Sequence, residues 1–114
     1  MPLHAKVLPG FQEDLYDLPE NVRKAAVIAF ADIRDGRRQG AQLTYQPSVG
    51  DLSDCFKLYF DPNPRVQPRY RLVYQLHHNS VTVVAVTAVA VGERAGLDAY
   101  LRAMRNLGRS HRTA

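Results

Sequence analysis

Two runs in the middle of the chain alternate apolar and polar positions. Phe56, Leu58 and Phe60 share one side of the first; Tyr70, Leu72, Tyr74 and Leu76 share one side of the second. That period of two predicts half-buried strands over about Cys55–Asp61 and Arg69–His77. A third run, Val81–Val91, is apolar on both sides and rich in β-branched residues, which predicts a strand inside the sheet. The link His78-Asn79-Ser80 is short enough for an antiparallel hairpin, whereas "DPNPRVQP" between the first two strands is a longer loop stiffened by its prolines. Elsewhere the period is helical. Phe11, Leu15 and Leu18 recur at helix spacing, and Val22, Ala26, Ala29 and Ile33, with Phe30 beside them, form the stripe of a second helix opened by Pro19, its end bracketed by Gly36 and Gly40. Ahead of them, Leu3–Leu8 predicts a short strand stopped by a Pro9-Gly10 turn, and a further short strand is expected at Leu43–Tyr45. A last helix over Ala95–Leu107 is expected to bury Leu97, Tyr100, Leu101, Met104 and Leu107, before a frayed basic tail, "GRSHRTA". The sum is an α+β fold: a small, mostly antiparallel sheet with an N-terminal helical hairpin and a C-terminal helix.

Composition narrows the class. A length of 114 residues suits a single domain, and 46% hydrophobic residues argues against disorder. No apolar run approaches the roughly 18 residues of a membrane helix. "MPLHAKVL" lacks the apolar core of a secretory signal, so a cytoplasmic location is expected. Cys55 stands alone, which excludes a disulfide framework and a cysteine zinc site and predicts a small buried or edge residue. His77 and His78 are adjacent on a strand and point to opposite faces, so they make a poor metal pair; His4 and His111 lie near the termini. No histidine is assigned a catalytic role, and no metal site is expected.

Charge changes the picture more. Residues 1–56 carry six Lys/Arg against eight Asp/Glu, net −2, and residues 57–114 carry nine against three, net +6. A basic half with aromatic residues among its cations suits a polyanion partner. Strand alternation gathers Lys57 on the face opposite Leu58, and Arg69 and Arg71 on the face opposite Leu72. Arg94 follows the central strand in "VGER", and Tyr100 comes six residues later. On one basic face these side chains can surround a phosphate, the planar fork of arginine binding two of its oxygens.

In "CFKLY", "YRLVYQL" and "VGERAGLDAY" the chain resembles the RelE toxins of bacterial toxin–antitoxin modules, within the RelE/ParE superfamily and its microbial-ribonuclease-like fold. The resemblance extends to the order strand–helix–helix–strands–helix. It implies a ribosome-dependent mRNA endonuclease in which a 2′-hydroxyl attacks the adjacent phosphate, leaving a cyclic phosphate and a 5′-hydroxyl without metal or cofactor. Lys57 would be a proton acceptor or phosphate clamp, Arg71 would stabilise the transition state, Arg94 would assist in charge stabilisation or leaving-group protonation, and Tyr100 would stack on a base or orient the nucleophile. Tyr59, Arg65, Arg69, Arg102 and Arg105 would contact RNA or ribosome. The implied partners are the ribosomal decoding site, mRNA and a cognate antitoxin that covers Arg71 or displaces the C-terminal helix in a hetero-oligomer; no membrane is involved. One position departs from the pattern: RelE toxins commonly carry a second lysine where this chain has Tyr59. A phenol, which ordinarily titrates near pH ~10, does not replace a cation, and Arg69 is the candidate to restore the charge. The alternatives are a ParE-like gyrase inhibitor and a catalytically weakened binding protein on the same fold.

Overall fold

The alternating runs pair with each other as their pattern requires. A computed structural model describes residues Leu3 to Arg109, so His111 and most of the expected basic tail lie outside the described residues. Strand β1 is His4–Val7, helix α1 Pro9–Tyr16 and helix α2 Glu20–Arg34. The short strands β2 (Ala41–Gln42), β3 (Tyr45–Gln46) and β4 (Gly50–Asp51) lead into β5 (Phe56–Phe60), β6 (Tyr70–His78) and β7 (Val83–Glu93). A 3₁₀ turn, Ala95–Leu97, precedes helix α3, Asp98–Asn106. The five-stranded sheet runs β1-β7-β6-β5-β2, antiparallel throughout except that β1 joins β7 in parallel; β3 and β4 form a separate ribbon.

Each face of the sheet has its own core. Phe60, Leu72, Tyr74, Val86, Ala88 and Val91 pack with Phe11 of α1 and with Val22, Ala26, Ala29 and Ile33, the stripe of α2. On the other face Val73, Val89 and Ala90 pack with Ala99, Tyr100, Ala103 and Met104 of α3 and with Leu43, Val49, Leu52 and Cys55. A register shift between Val73 and Tyr74 lets β7 turn Val89 and Ala90 toward α3 while Ala88 and Val91 face α1 and α2.

Several boundaries differ from expectation for local reasons. Pro9 is the first residue of α1 rather than a turn, because the missing N–H of proline costs nothing in the first helical turn. The Leu43–Tyr45 strand is absent: Leu43 is core, and the strands lie at Ala41–Gln42 and Tyr45–Gln46 on either side. Leu101 is exposed, since the buried face of α3 is set by Ala99, Tyr100, Ala103 and Met104. The start of the tail is pinned, with the Arg109 guanidinium donating to both carboxylate oxygens of Asp54 at 2.7 and 2.6 Å.

Candidate active site

The chain turns back on itself after β7 to bring α3 over the basic face. Gly96 and Leu97 both have left-handed backbone, at φ 65° and 59°. Leu97 holds that conformation without the freedom of glycine. The Asp98 carboxylate accepts the Glu93 N–H at 3.0 Å and fixes the first turn of α3 to the strand end. Gly92 makes this approach possible, because a Cβ there would run into Asp98 and Ala99. Gly92 lies directly opposite Arg71 in the β6–β7 register, so the closest approach of helix to sheet falls beside that arginine.

Tyr59 stands at the centre of what is assembled. It pairs across the β5–β6 ladder with Arg71 and shares a face of β5 with Lys57. Lys57 Nζ lies 5.2 Å, Arg71 Cζ 5.2 Å and Arg94 Cζ 4.7 Å from the centroid of its ring. These are cation–π distances. On its other side Arg71 stacks on the Tyr100 ring, Cζ to centroid 4.0 Å, so its guanidinium sits between two phenols. Arg71 is only 7% exposed, and its Nε and Nη1 are buried without a hydrogen-bond partner. A desolvated cation with idle donors is costly and is satisfied when an anion arrives.

The protonation preferences of Lys57 and Tyr59 diverge. Donation to the Tyr59 hydroxyl, with the nearby Tyr100 phenol, holds the Lys57 ammonium above the ordinary lysine range. Contact first with Lys57 and then with Arg71 holds Tyr59 below the ordinary phenol range, against the opposing effect of burial. Arg94 is placed by the proline loop: its backbone N–H donates to Arg69 O at 2.9 Å and its Nη1 to Pro68 O at 2.8 Å.

Four of the expected site residues, Lys57, Arg71, Arg94 and Tyr100, thus converge, with Tyr59 among them. Four others do not. Arg69 is bound bidentately by Asp61 at 2.8 and 2.9 Å, which neutralises it at the base of the loop, so it does not restore the charge missing at Tyr59. Arg102 and Arg105 pair instead with α1. Asp14, fully buried, accepts from Arg102 Nη1 at 2.9 Å, Arg105 Nη2 at 2.6 Å, Asn106 Nδ2 at 2.8 Å and Val91 N–H at 3.4 Å, and Arg102 also reaches Asp17 and Asp98. Their charges anchor α3. Arg65 lies exposed on the loop. Cys55 is buried and its thiol is pushed up to about 12 by desolvation, far from a nucleophile's range. His77 Nε2 is engaged with Thr87 Oγ1 at 2.8 Å. Asp14 had a signal in the sequence: a carboxylate three residues after Phe11 and four before Leu18, on the apolar face of α1.

No protein-family model and no curated protein matches the chain. Solved structures do. The free toxin RelE of E. coli, as a double arginine-to-alanine mutant, superposes with a TM-score of 0.62 at 21% identity, covering 94% of this chain and 99% of that one. The toxin–antitoxin complex RelBE2 of Mycobacterium tuberculosis matches with a TM-score of 0.57 at 23% identity, over 82% of this chain and 100% of that one. With its element order, its two-sided sheet and its C-terminal helix, the chain has the fold of the RelE toxins.

Proposed function

We propose that the chain is a single toxin domain of a type II toxin–antitoxin system, acting in the cytoplasm as a ribosome-dependent, metal-independent mRNA endonuclease. One observation carries the proposal: Arg71, buried between Tyr59 and Tyr100, keeps unpaired N–H donors at the centre of a cluster of cations. A scissile phosphate completes that cluster. Tyr100 is buried and held by α3, whereas Tyr59 is 38% exposed, so the phosphate approaches the guanidinium from the Tyr59 side. Arg71 then binds two phosphate oxygens, and Lys57, protonated at neutral pH, clamps the developing negative charge. Arg94, anchored by Pro68 O, stabilises charge toward the leaving oxygen. Tyr100 holds the Arg71 plane and orients the nucleotide. Arg65, on the exposed loop, contacts the ribosome. Placing the 2′-hydroxyl in line with the leaving oxygen is left to the ribosome, which makes free RNA a poor substrate. An antitoxin partner is supported by the neighbour solved as a toxin–antitoxin complex.

The test is 5′-end mapping of a defined mRNA in a bacterial translation extract, with and without ribosomes, for the wild type and Arg71→Ala. Ribosome-dependent cuts that vanish in the variant are expected. Folded wild-type protein that leaves the mRNA intact on active ribosomes would refute the nuclease and direct the next assay to DNA gyrase.

A further inference from the structure

Transfer of a phosphoryl group to a 2′-oxygen requires something to take the hydroxyl proton, and few groups on the basic face can. The charged and titratable side chains around the cluster are Lys57 and Tyr59 from β5, Asp61 just beyond it, Arg69 just before β6, Arg71 from β6, Arg94 after β7, and Asp98 and Tyr100 from α3, with the Asp98 carboxylate already taken up by Arg102 and the Glu93 N–H. Arginine does not deprotonate. Asp61 accepts the Arg69 guanidinium together with the N–H groups of Asn63 and Arg69, which leaves it no basicity to offer. His77 shares the face of Arg71 but lies roughly 20 Å along the strand from it. Tyr100 is buried against the sheet, with Arg71 over its ring.

We propose, on the endonuclease reading above, that Tyr59 is the proton acceptor for the attacking 2′-hydroxyl. It is the exposed phenol of the cluster where Tyr100 is buried, it stands directly across the ladder from Arg71, and three cations surround its ring. They favour the phenolate over the phenol, in keeping with the lowered titration of Tyr59. In the step, the phenolate takes the O2′ proton while the O2′ electron pair forms the O2′–P bond. The P–O5′ bond breaks, its electrons stay on O5′, and O5′ takes a proton from water. The Tyr59 phenol then returns its proton to solvent, so no net proton or water is consumed. Lys57, two residues earlier, stays protonated, and its part is to hold the phosphate and the phenolate together.

The test is the pH profile of kcat/KM for ribosome-dependent cleavage by wild type, Tyr59→Phe, and protein carrying 3-fluorotyrosine at position 59. Tyr59→Phe keeps the ring and its cation contacts, so ribosome affinity should hold while cleavage falls about 10²–10⁴-fold, the usual contribution of general base catalysis. The wild-type rate should rise with pH and level off below the ordinary phenol range, and fluorination should move that limb to lower pH. A Tyr59→Phe enzyme that cuts at the wild-type rate, or one that loses only affinity, overturns the assignment while leaving the nuclease standing. A wild type that cuts nothing on ribosomes removes both. A second measurement needs no ribosome: in an ultraviolet difference titration of wild type against Tyr59→Phe, ionisation of Tyr59 at or above the ordinary phenol range overturns the assignment.

Discussion

Replacing Asp14 by alanine should loosen α3 more than any surface change on that helix. The carboxylate is fully buried and accepts two arginine donors, one amide donor and the Val91 N–H. Breaking a buried ion pair by deleting one partner typically costs about 3–5 kcal/mol, because a charge is left behind. Here the stranded charges have other outlets. Arg105 has a side chain 56% exposed, and Arg102 keeps Asp17 and Asp98. What remains is the loss of charge-assisted hydrogen bonds and an orphaned strand N–H, about 3 kcal/mol together. For a domain of this size that is roughly a 10–20 °C drop in Tm. Urea unfolding followed by far-ultraviolet circular dichroism measures it, provided the slope with denaturant is unchanged. Arg105→Ala, removing a largely exposed partner, should cost no more than about 1 kcal/mol. If Asp14→Ala costs as little as Arg105→Ala, the carboxylate is not the anchor of α3. Because Tyr100 rides on that helix, the endonuclease proposal expects the same variant to cut less mRNA in the translation extract.

Other expectations follow from single contacts. Gly92→Ala crowds Asp98 and Ala99 and should cost about 1–3 kcal/mol by urea unfolding; a neutral result would mean that α3 gives way freely. The Cys55 thiol, pushed up to about 12 by burial, should resist iodoacetamide at mildly alkaline pH in the native protein and react at once in urea, and rapid native alkylation would contradict its packing. Arg109 holds Asp54 to about 2, below its unfolded value, so the stabilisation from this pair is present above that unfolded value and is lost as pH falls through about 2. Asp54→Asn should flatten that acid limb; the pair is half exposed and solvent screening keeps the effect within about 1 kcal/mol, so an unaltered limb would show that the pair contributes nothing.

What could be read along the chain was periodic, and what could not was paired at long range. The alternation in Phe56–Phe60 and Tyr70–Leu76 separates the α1–α2 core from the basic face, and the stripe Val22, Ala26, Ala29, Ile33 is buried as its spacing requires. Strand parity also puts Lys57 and Arg71 on the face away from that core, whereas the period of α3 reads Tyr100 only as core, and its place beside Arg71, like that of Arg94, is implied by the resemblance. The engagement of Arg102 and Arg105 with Asp14 spans nearly the whole chain, and no local pattern names the partner of an arginine. Arg69 departs from expectation for a related reason: Asp61, across the proline loop, neutralises it, and strand parity does not reveal that partner. Leu101 is apolar, yet it falls just outside the arc of α3 that meets the sheet, a matter of a fraction of a turn.

The parallel pairing of β1 with β7 joins His4 to Ala85 and Val7 to Ala88, residues that leave the ribosome far apart in time. When β1, α1 and α2 emerge during synthesis, the strand that β1 must join and the sheet face that α2 must cover have not yet been made. The β5–β6–β7 meander, the turn that follows it and α3, which carry Lys57, Tyr59, Arg71, Arg94 and Tyr100, come last. Long-range pairing of this kind must wait for loop closure across most of the chain. Vectorial folding therefore keeps the basic face incomplete until synthesis of the chain is nearly finished, because Arg94 and Tyr100 follow the last strand.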